Sequence, residues 1–200
     1  MSVSEKQRKP KWLKVKLPTA TAYKKVKSVV KENTLHTICE SGNCPNIGEC
    51  WGEGTATFMI LGNICTRSCG FCNVATGRPL AVDVLEPLNV ANSVNLMKVK
   101  HAVITSVDRD DLKDGGSSIW AETVNEIRRL NPDTTMETLI PDFKGKKEDI
   151  QRIIDVSPDV VSHNMETVER LTKKVRIQAK YQRSLDTLRF LNEGGIRTKS

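Results

Sequence analysis

This sequence lacks long apolar runs, and it lacks cysteine everywhere except in one short region. Its longest fully apolar stretch is Phe58–Leu61, far below the ~20 residues that a membrane-spanning helix needs. The first residues also lack the apolar core of a secretory signal. With 38% apolar and 28% charged residues in 200, the composition is typical of a soluble globular protein. We therefore expect a cytoplasmic chain with no membrane partner.

Acidic residues are almost absent from residues 1–31. This segment holds ten Lys or Arg and a single acid, Glu5, whereas the remaining 169 residues hold 21 bases and 23 acids. A basic arm attracts acidic partners, such as an acidic carrier domain or nucleic acid. A solvated tail without a partner is an equally open interpretation.

The six cysteines form two groups of three: Cys39, Cys44 and Cys50, then Cys65, Cys69 and Cys72. In a reducing cytosol disulfides are not expected, so clustered cysteines indicate a metal site. A structural zinc site is tetrahedral and closed, and either group would need a fourth ligand to make one. A [4Fe–4S] cluster is normally held by four cysteines. If only three hold it, one iron stays open to bind a substrate.

From residue 57 onward, short apolar strands alternate with helical patterns. Strands are predicted at 57–61, 101–107, 134–140 and 158–164, and helices at 86–99, 116–130, 146–156, 165–175 and 181–195. This alternation predicts βα units around a parallel sheet. In such folds functional groups gather at the carboxyl ends of the strands, which is where the second cysteine group lies.

The sequence divides into three parts on this pattern. Residues 1–31 are the basic arm, with a short helix expected at 23–30. Residues 32–56 are rich in Gly, Asn, Cys and Pro, and we expect loops organised by ligands there. Residues 57–200 are the βα core, in which "IRTKS" begins a fifth strand. In the helix at 86–99, the side chains expected to face the core are Val90, Val94, Leu96 and Met97.

The spacing Cys65-x3-Cys69-x2-Cys72, after an apolar strand and before βα repeats, resembles the radical S-adenosylmethionine enzymes. Five longer segments are similar to the lipoyl synthase family within that superfamily. They are "TICESGNCPNIGECWGEGTATFMILGNICTRSCGFCNVATGRP" (37–79), "VITSVDRDDLKDGG" (103–116), "ETLIPDF" (137–143), "SHNMETVERL" (162–171) and "VRIQAKYQRSLDTL" (175–188). The resemblance extends from about Lys9 to the last residue.

This resemblance implies an α/β fold, a partial (β/α) barrel of the radical S-adenosylmethionine type with an N-terminal cysteine-rich extension. It implies two [4Fe–4S] clusters. The cluster on Cys65, Cys69 and Cys72 binds S-adenosylmethionine at its open iron, with Phe71 near the adenine. The auxiliary cluster on Cys39, Cys44 and Cys50 is the source of sulfur.

The implied activity is that of a sulfurtransferase. A 5′-deoxyadenosyl radical abstracts hydrogen from C6 and C8 of an octanoyl group, and sulfur is inserted at both carbons. Cofactor chemistry suits an unactivated C–H bond, because such a bond has no acidic proton or basic atom on which an acid or a base could act. The implied partners are octanoylated lipoyl domains of 2-oxoacid dehydrogenase subunits or the glycine cleavage H protein, and an electron donor such as ferredoxin or flavodoxin. No nucleic-acid partner is expected.

Several other residues are candidates for binding S-adenosylmethionine or substrate, each with a simpler alternative. Gly115 and Gly116 either let backbone approach the methionine part or only begin a helix capped by Asp114. Glu137 is a mid-strand carboxylate, which is costly to bury unless it is used, and we expect it to contact a ribose or the substrate.

Polar residues at other strand ends form a second set of candidates. Ser106, with Asp108, Arg109 and Asp111, either lines the site or belongs to a charged surface loop. Asn164, with His163, either points into the cleft or caps a helix, and Arg176 either pairs with a carboxylate in the site or covers a helix end. The expected packing residues, rather than ligands, are His36, His101, Trp12 and Trp51.

The end of the chain departs from the family pattern. In the family, a serine of a C-terminal Arg-Ser-Ser-Tyr motif ligates the fourth iron of the auxiliary cluster, and Ser200 does not match that motif. We therefore expect a chain without the C-terminal third of the family. One alternative is an inactive iron–sulfur-binding fragment. Another is a zinc-binding nucleic-acid module, against which the βα repeats argue.

Overall fold

A computed structural model describes residue 10 and residues 21–32, 37–41, 44 and 46–200. Its centre is a five-stranded parallel sheet whose strand order follows the chain. The strands are β1 (Thr55–Ile60), β4 (His101–Ser106), β5 (Thr135–Leu139), β6 (Val160–Ser162) and β7 (Thr198–Lys199), and β2 (Ile64–Cys65) and β3 (Ala75–Thr76) form a separate small pair. This arrangement confirms the predicted α/β class and the predicted beginning of a fifth strand.

The burial of successive residues in a strand alternates, because one face of the sheet is covered by helices and the other is open. In β1 every second residue is buried, with Phe58 and Ile60 at 1% and 0% exposure and Met59 half-buried between them. Successive side chains of a strand point to opposite faces. The buried residues therefore form the core under the helices, and the half-buried residues line the concave face of a partial barrel.

Helices connect successive strands of the sheet. They are α4 (Glu86–Met97), α5 (Ser117–Leu130), α6 (Lys147–Val156), and the pair α7 (Glu169–Val175) and α8 (Tyr181–Glu193). No helix among the described residues is long and apolar enough to cross a membrane.

Most of the predicted helix positions are confirmed, with two differences. In α4, Val90, Val94 and Met97 are buried as predicted, but Leu96 is 45% exposed. That prediction was wrong because a residue two positions from Val94 lies on a different side of the helix. The helix predicted from residue 165 begins only at Glu169, since Glu166 adopts a left-handed conformation with φ 61°.

The N-terminal part contains more regular structure than we predicted. Helix α1 (Thr21–Glu32) contains the expected short helix, but α2 (Ile38–Ser41) and α3 (Ile47–Glu53) occupy a segment predicted as loops. Two aromatic rings, those of Tyr23 and Trp51, pack with centroids 5.7 Å apart and join α1 to α3. Trp51 is therefore a packing residue as predicted, while His36 and Trp12 lie outside the described residues.

Candidate functional site

A cavity opens at the carboxyl ends of β4, β5 and β6, beside the loop that carries the second cysteine group. Seven of the residues predicted for the site line it: Cys65, Cys69, Phe71, Cys72, Ser106, Asn164 and Arg176. Asp108 and His163 line it as well. The cavity thus lies where a parallel βα fold places its functional groups.

The loop of residues 65–72 is closed at its base by strands β2 and β3. Ile64 and Cys65 pair with Ala75 and Thr76, and the Gly77 amide donates to the Cys65 carbonyl at 3.0 Å. Cys65 is half-buried at the start of the loop, whereas Cys72 near its end is exposed. The two ends of the loop therefore lie close together, and the loop presents its three thiols on one side of the cavity.

The thiols of this loop influence one another. Burial raises the pKa of both Cys65 and Cys69, and the negative charge of a neighbouring Cys72 thiolate raises each of them further. Two backbone amides oppose this effect at Cys65, since Arg67 and Asp108 donate to its Sγ at 3.4 and 3.3 Å. Three thiols that influence one another by charge, one of them with two amide donors, fit an iron–sulfur cluster, whose properties depend on hydrogen bonds to sulfur.

A site for a single metal ion would need a different arrangement of side chains from that of a cluster. Among the described residues, no three His, Cys, Asp or Glu side chains are grouped so that they could hold a metal ion. Zinc binds all its ligands within about 2.0–2.3 Å of one point. A four-iron cluster differs in this respect, because each of its thiolates binds a separate iron.

A buried ion network fastens this loop to the strand ends. The Arg67 guanidinium lies 3.3 Å from Asp108, 2.7 Å from Asp110 and 2.7 Å from Asp142, and Asp142 also binds Arg183 at 2.7 Å. Burial raises the pKa of Asp108 to about 6, with Arg67 opposing the shift. Hydrogen bonds and charge from Arg67 hold the pKa of Asp142 below its usual value despite burial. The sequence pattern does not indicate Arg67 or Asp142 as site residues, because a pattern of charges does not show which of them are buried.

The end of α7 and the residue that follows it lie against the loop. The Gly70 amide donates to the Val175 carbonyl at 2.8 Å, and Cys69 pairs with Arg176 in an isolated antiparallel bridge. The Arg176 guanidinium, 7% exposed, donates to the Met165 carbonyl and lowers the pKa of Cys69 by its charge. Arg176 therefore brings a positive charge to the cysteine side of the cavity.

Two buried polar atoms of the cavity wall have no hydrogen-bond partner among the described residues: Ser106 Oγ and His163 Nε2. His163 Nδ1 lies 2.9 Å from the Ile140 carbonyl, which can only accept, so Nδ1 carries the proton and Nε2 is an acceptor. Burial lowers the pKa of His163, which favours this neutral form. Unpaired buried polar atoms are costly, and these two are placed to bind a polar ligand.

The first cysteine group lies apart from this cavity, against β1. Cys39 is buried in α2 and its Sγ approaches the Thr57 carbonyl at 3.9 Å, while Cys50 belongs to α3. Burial raises the pKa of Cys50, and the thiolates of Cys44 and Cys39 raise it further. Cys50 is therefore close enough to interact with both other thiols of this group.

Three residues predicted to bind S-adenosylmethionine or the substrate, Glu137, Gly115 and Gly116, do not line the cavity. Glu137 accepts from Ser162 Oγ at 2.6 Å and from Lys199 Nζ at 2.9 Å, and these donors lower its pKa against the effect of burial. Gly115 and Gly116 precede α5, where the Asp114 carboxylate accepts from the Gly116 amide at 3.0 Å. This bond supports the helix-capping alternative, and contact of these three residues with a ligand stays a prediction.

The conformation of Gly116 gives a direct test of its structural role. Its φ is 88°, and a Cβ there would lie 2.5 Å from Leu61 Cδ1. We expect Gly116→Ala to lower the free energy of unfolding by about 2–4 kcal/mol, from the left-handed backbone and the clash together. Gly195→Ala is the matched control, because φ is 79° there and nothing lies within 4 Å. Equal losses in urea unfolding would contradict the packing argument.

Sequence comparisons relate this chain to two protein-family models and to curated relatives. A model of the radical SAM superfamily matches residues 59–200, and a model of the N-terminal domain of lipoyl synthase matches residues 1–44. The lipoyl synthase of Christiangramia forsetii is 66% identical over 200 residues, which are all of this chain and 68% of that protein. The mitochondrial lipoyl synthase of Nematostella vectensis is 69% identical over 96% of this chain and 66% of its own length. The chain thus spans about two thirds of the length of these relatives.

A solved structure shows the same fold at low identity. The crystal structure of methylornithine synthase matches with a TM-score of 0.56 and 11% identity, over 88% of this chain and 53% of that one. This likeness supports the partial barrel described above.

Proposed function

This chain belongs to the lipoyl synthase family of the radical S-adenosylmethionine superfamily, and on that premise we propose a role for each part of its site. The family consists of sulfurtransferases that use S-adenosylmethionine and [4Fe–4S] clusters, and that insert sulfur at C6 and C8 of an octanoyl group. We assign Cys65, Cys69 and Cys72 as ligands of the cluster that binds S-adenosylmethionine. We assign Cys39, Cys44 and Cys50 as ligands of the auxiliary cluster.

One observation carries this proposal: the three-cysteine loop lines the same cavity as two buried polar atoms that have no hydrogen-bond partner in the part of the chain that the structure describes. When a cluster is bound, its reduced form supplies the electron that cleaves the sulfonium of S-adenosylmethionine. The protein's part is to hold and orient the ligand and to keep water from it. His163 Nε2, as an acceptor, suits a ligand hydroxyl or amine, and Ser106 Oγ suits either a donor or an acceptor.

Three further residues of the cavity wall suit other parts of S-adenosylmethionine. The Arg176 guanidinium suits a carboxylate, and the Asn164 amide offers both donors and acceptors beside His163. Phe71 is 54% exposed at the cavity, so its ring is free to stack on an adenine. We propose that these three residues and Ser106 bind the S-adenosylmethionine.

The substrate in this proposal is an octanoylated lipoyl domain of a 2-oxoacid dehydrogenase subunit or of the glycine cleavage H protein. Exposed lysines of α1 offer such an acidic carrier a complementary surface; they are Lys24, Lys27 and Lys31. We further propose that a donor such as ferredoxin or flavodoxin supplies the electron, and that the chain acts in the cytoplasm.

One anaerobic experiment tests the proposed activity. The chain is reconstituted with iron and sulfide and given reductant, S-adenosylmethionine and an octanoyl-lysine peptide, and 5′-deoxyadenosine and peptide mass are read together. We expect deoxyadenosine and a peptide that has gained sulfur. Deoxyadenosine without sulfur would limit the function to the cavity cluster, and the absence of both products would favour the inactive iron–sulfur-binding fragment.

A further inference from the structure

Arg67 stands between two of the cysteines assigned to the cluster, yet its side chain points away from solvent. The residue is 5% exposed, and its guanidinium contacts the carboxylates of Asp108, Asp110 and Asp142. Asp108 and Asp110 follow β4 and Asp142 follows β5. A single side chain therefore joins the loop to two neighbouring strand ends.

The contacts continue through α8 and return to the loop. Asp142 is fully buried and also binds Arg183, whose guanidinium donates to the Gln178 carbonyl at 3.0 Å. The Gln178 side chain then accepts from the Ser68 amide and donates to Ser68 Oγ, both at 3.2 Å. The loop is held on both sides by one continuous set of polar contacts.

These contacts place two amide donors on one sulfur. The amides of Arg67 and Asp108 lie 3.4 and 3.3 Å from Cys65 Sγ, one on the loop and one after β4. The Asp108 amide reaches Cys65 only while the loop lies against the end of β4. The ion pairs of Arg67 hold the loop in that position, together with the Thr66 hydroxyl, which donates to the Asp108 carbonyl at 2.9 Å.

We propose that Arg67 is a positioning residue that fixes Cys65 against these two amide donors before any cluster is assembled. The inference rests on the proposed function only for the assignment of Cys65 as a cluster ligand. Lysine cannot replace Arg67, because a single ammonium group lacks the planar fork that reaches several carboxylates at once.

The first test uses the metal-free chain at an alkaline pH at which the cysteines react as thiolates, and it follows the alkylation of each cysteine by iodoacetamide with mass spectrometry. The rate then reports how accessible and how strongly hydrogen-bonded each sulfur is, and not how much of it is ionised. We expect Arg67→Lys to accelerate alkylation of Cys65 about tenfold, because a thiolate that loses one charge-assisted hydrogen bond is less stabilised and more open to the reagent, while the rate at Cys50 stays unchanged. Arg78→Lys is the matched control, because Arg78 is an exposed arginine after the same loop. Asp110→Asn, which removes one partner of Arg67 at a partly exposed position, should give a smaller acceleration.

The second test uses the reconstituted chain and measures the midpoint potential of the cavity cluster. Amide donors favour the more negative, reduced state of a cluster, so we expect a lower potential in Arg67→Lys than in wild type and in Arg78→Lys. We also expect iron retention to fall about tenfold or more. Circular dichroism establishes that the variants are folded.

A folded Arg67→Lys chain with unchanged Cys65 alkylation would overturn the proposal, as would an unchanged potential. If the wild-type chain assembled no cluster, the proposed function would fail instead. The alkylation rates would then still decide whether Arg67 holds the loop, so the two failures are distinguishable.

Discussion

Replacing Cys69 with alanine is expected to lower 5′-deoxyadenosine formation by about 100-fold or more. Loss of a residue that only supports a metal ligand already costs about 10–100-fold in metal affinity or activity, and Cys69 is proposed as a ligand itself. Its thiol lies at the cavity and interacts with those of Cys65 and Cys72. The measurement is deoxyadenosine released per chain after anaerobic reconstitution.

Cys44→Ala is the matched control for this experiment. Cys44 belongs to the first group, which is not part of the cavity wall. We expect this variant to keep deoxyadenosine formation while failing to insert sulfur into an octanoyl-lysine peptide. If the two substitutions reduced deoxyadenosine formation equally, the assignment of separate roles to the two cysteine groups would be wrong.

The second large effect concerns stability. We expect Asp142→Ala to lower the free energy of unfolding by about 3–5 kcal/mol, the usual result of removing one partner from a buried ion pair. Asp142 has no exposed surface and binds both Arg67 and Arg183 at 2.7 Å. For a chain of this size the loss corresponds to a fall in melting temperature of roughly 10 °C.

The stabilisation that Asp142 contributes to the folded chain should be lost in strong acid. Its pKa in the folded chain is below the ordinary value of 3.8, so its contribution is fully present above that value. It is lost as the pH falls further, through the folded-state pKa. Thermal unfolding at neutral and strongly acidic pH should therefore show a difference between wild type and Asp142→Ala that narrows in acid.

Asp186→Ala, at an exposed ion pair on α8, is the control for burial. It should change stability by about 0–1 kcal/mol, and a loss equal to that of Asp142→Ala would contradict the burial argument.

The fold was largely predictable because its strands and helices have clear periodic patterns. Ile119, Trp120, Val124 and Ile127 are buried in α5 as their spacing predicts. The helices α2 and α3 were not predictable in this way, since the segment "ICESGNCPNIGECWGE" has few apolar residues and four glycines or prolines. Trp51 packs α3 against Tyr23 of α1, a partner distant in the sequence.

The candidate site was predictable where chemistry is visible in short motifs. The cysteine spacing indicated the loop, and the strand-end rule placed Ser106 and Asn164 at the same cavity. The roles of Arg67 and Asp142 were not predictable, because their partners come from three separate segments and only the fold joins them. Glu137 looked like a site residue because a buried carboxylate needs a use, and the fold supplies Ser162 and Lys199 as its partners.

We propose that Cys65, Cys69 and Cys72 would hold a [4Fe–4S] cluster, and that with three protein ligands it would keep one iron free to bind S-adenosylmethionine. The most direct test is the electron paramagnetic resonance spectrum of the reduced chain, with Cys39, Cys44 and Cys50 replaced by alanine, recorded without and with S-adenosylmethionine. We expect the signal of a reduced [4Fe–4S] cluster that changes when S-adenosylmethionine is added. A chain that binds zinc in place of iron, or a cluster signal that S-adenosylmethionine leaves unchanged, would contradict it.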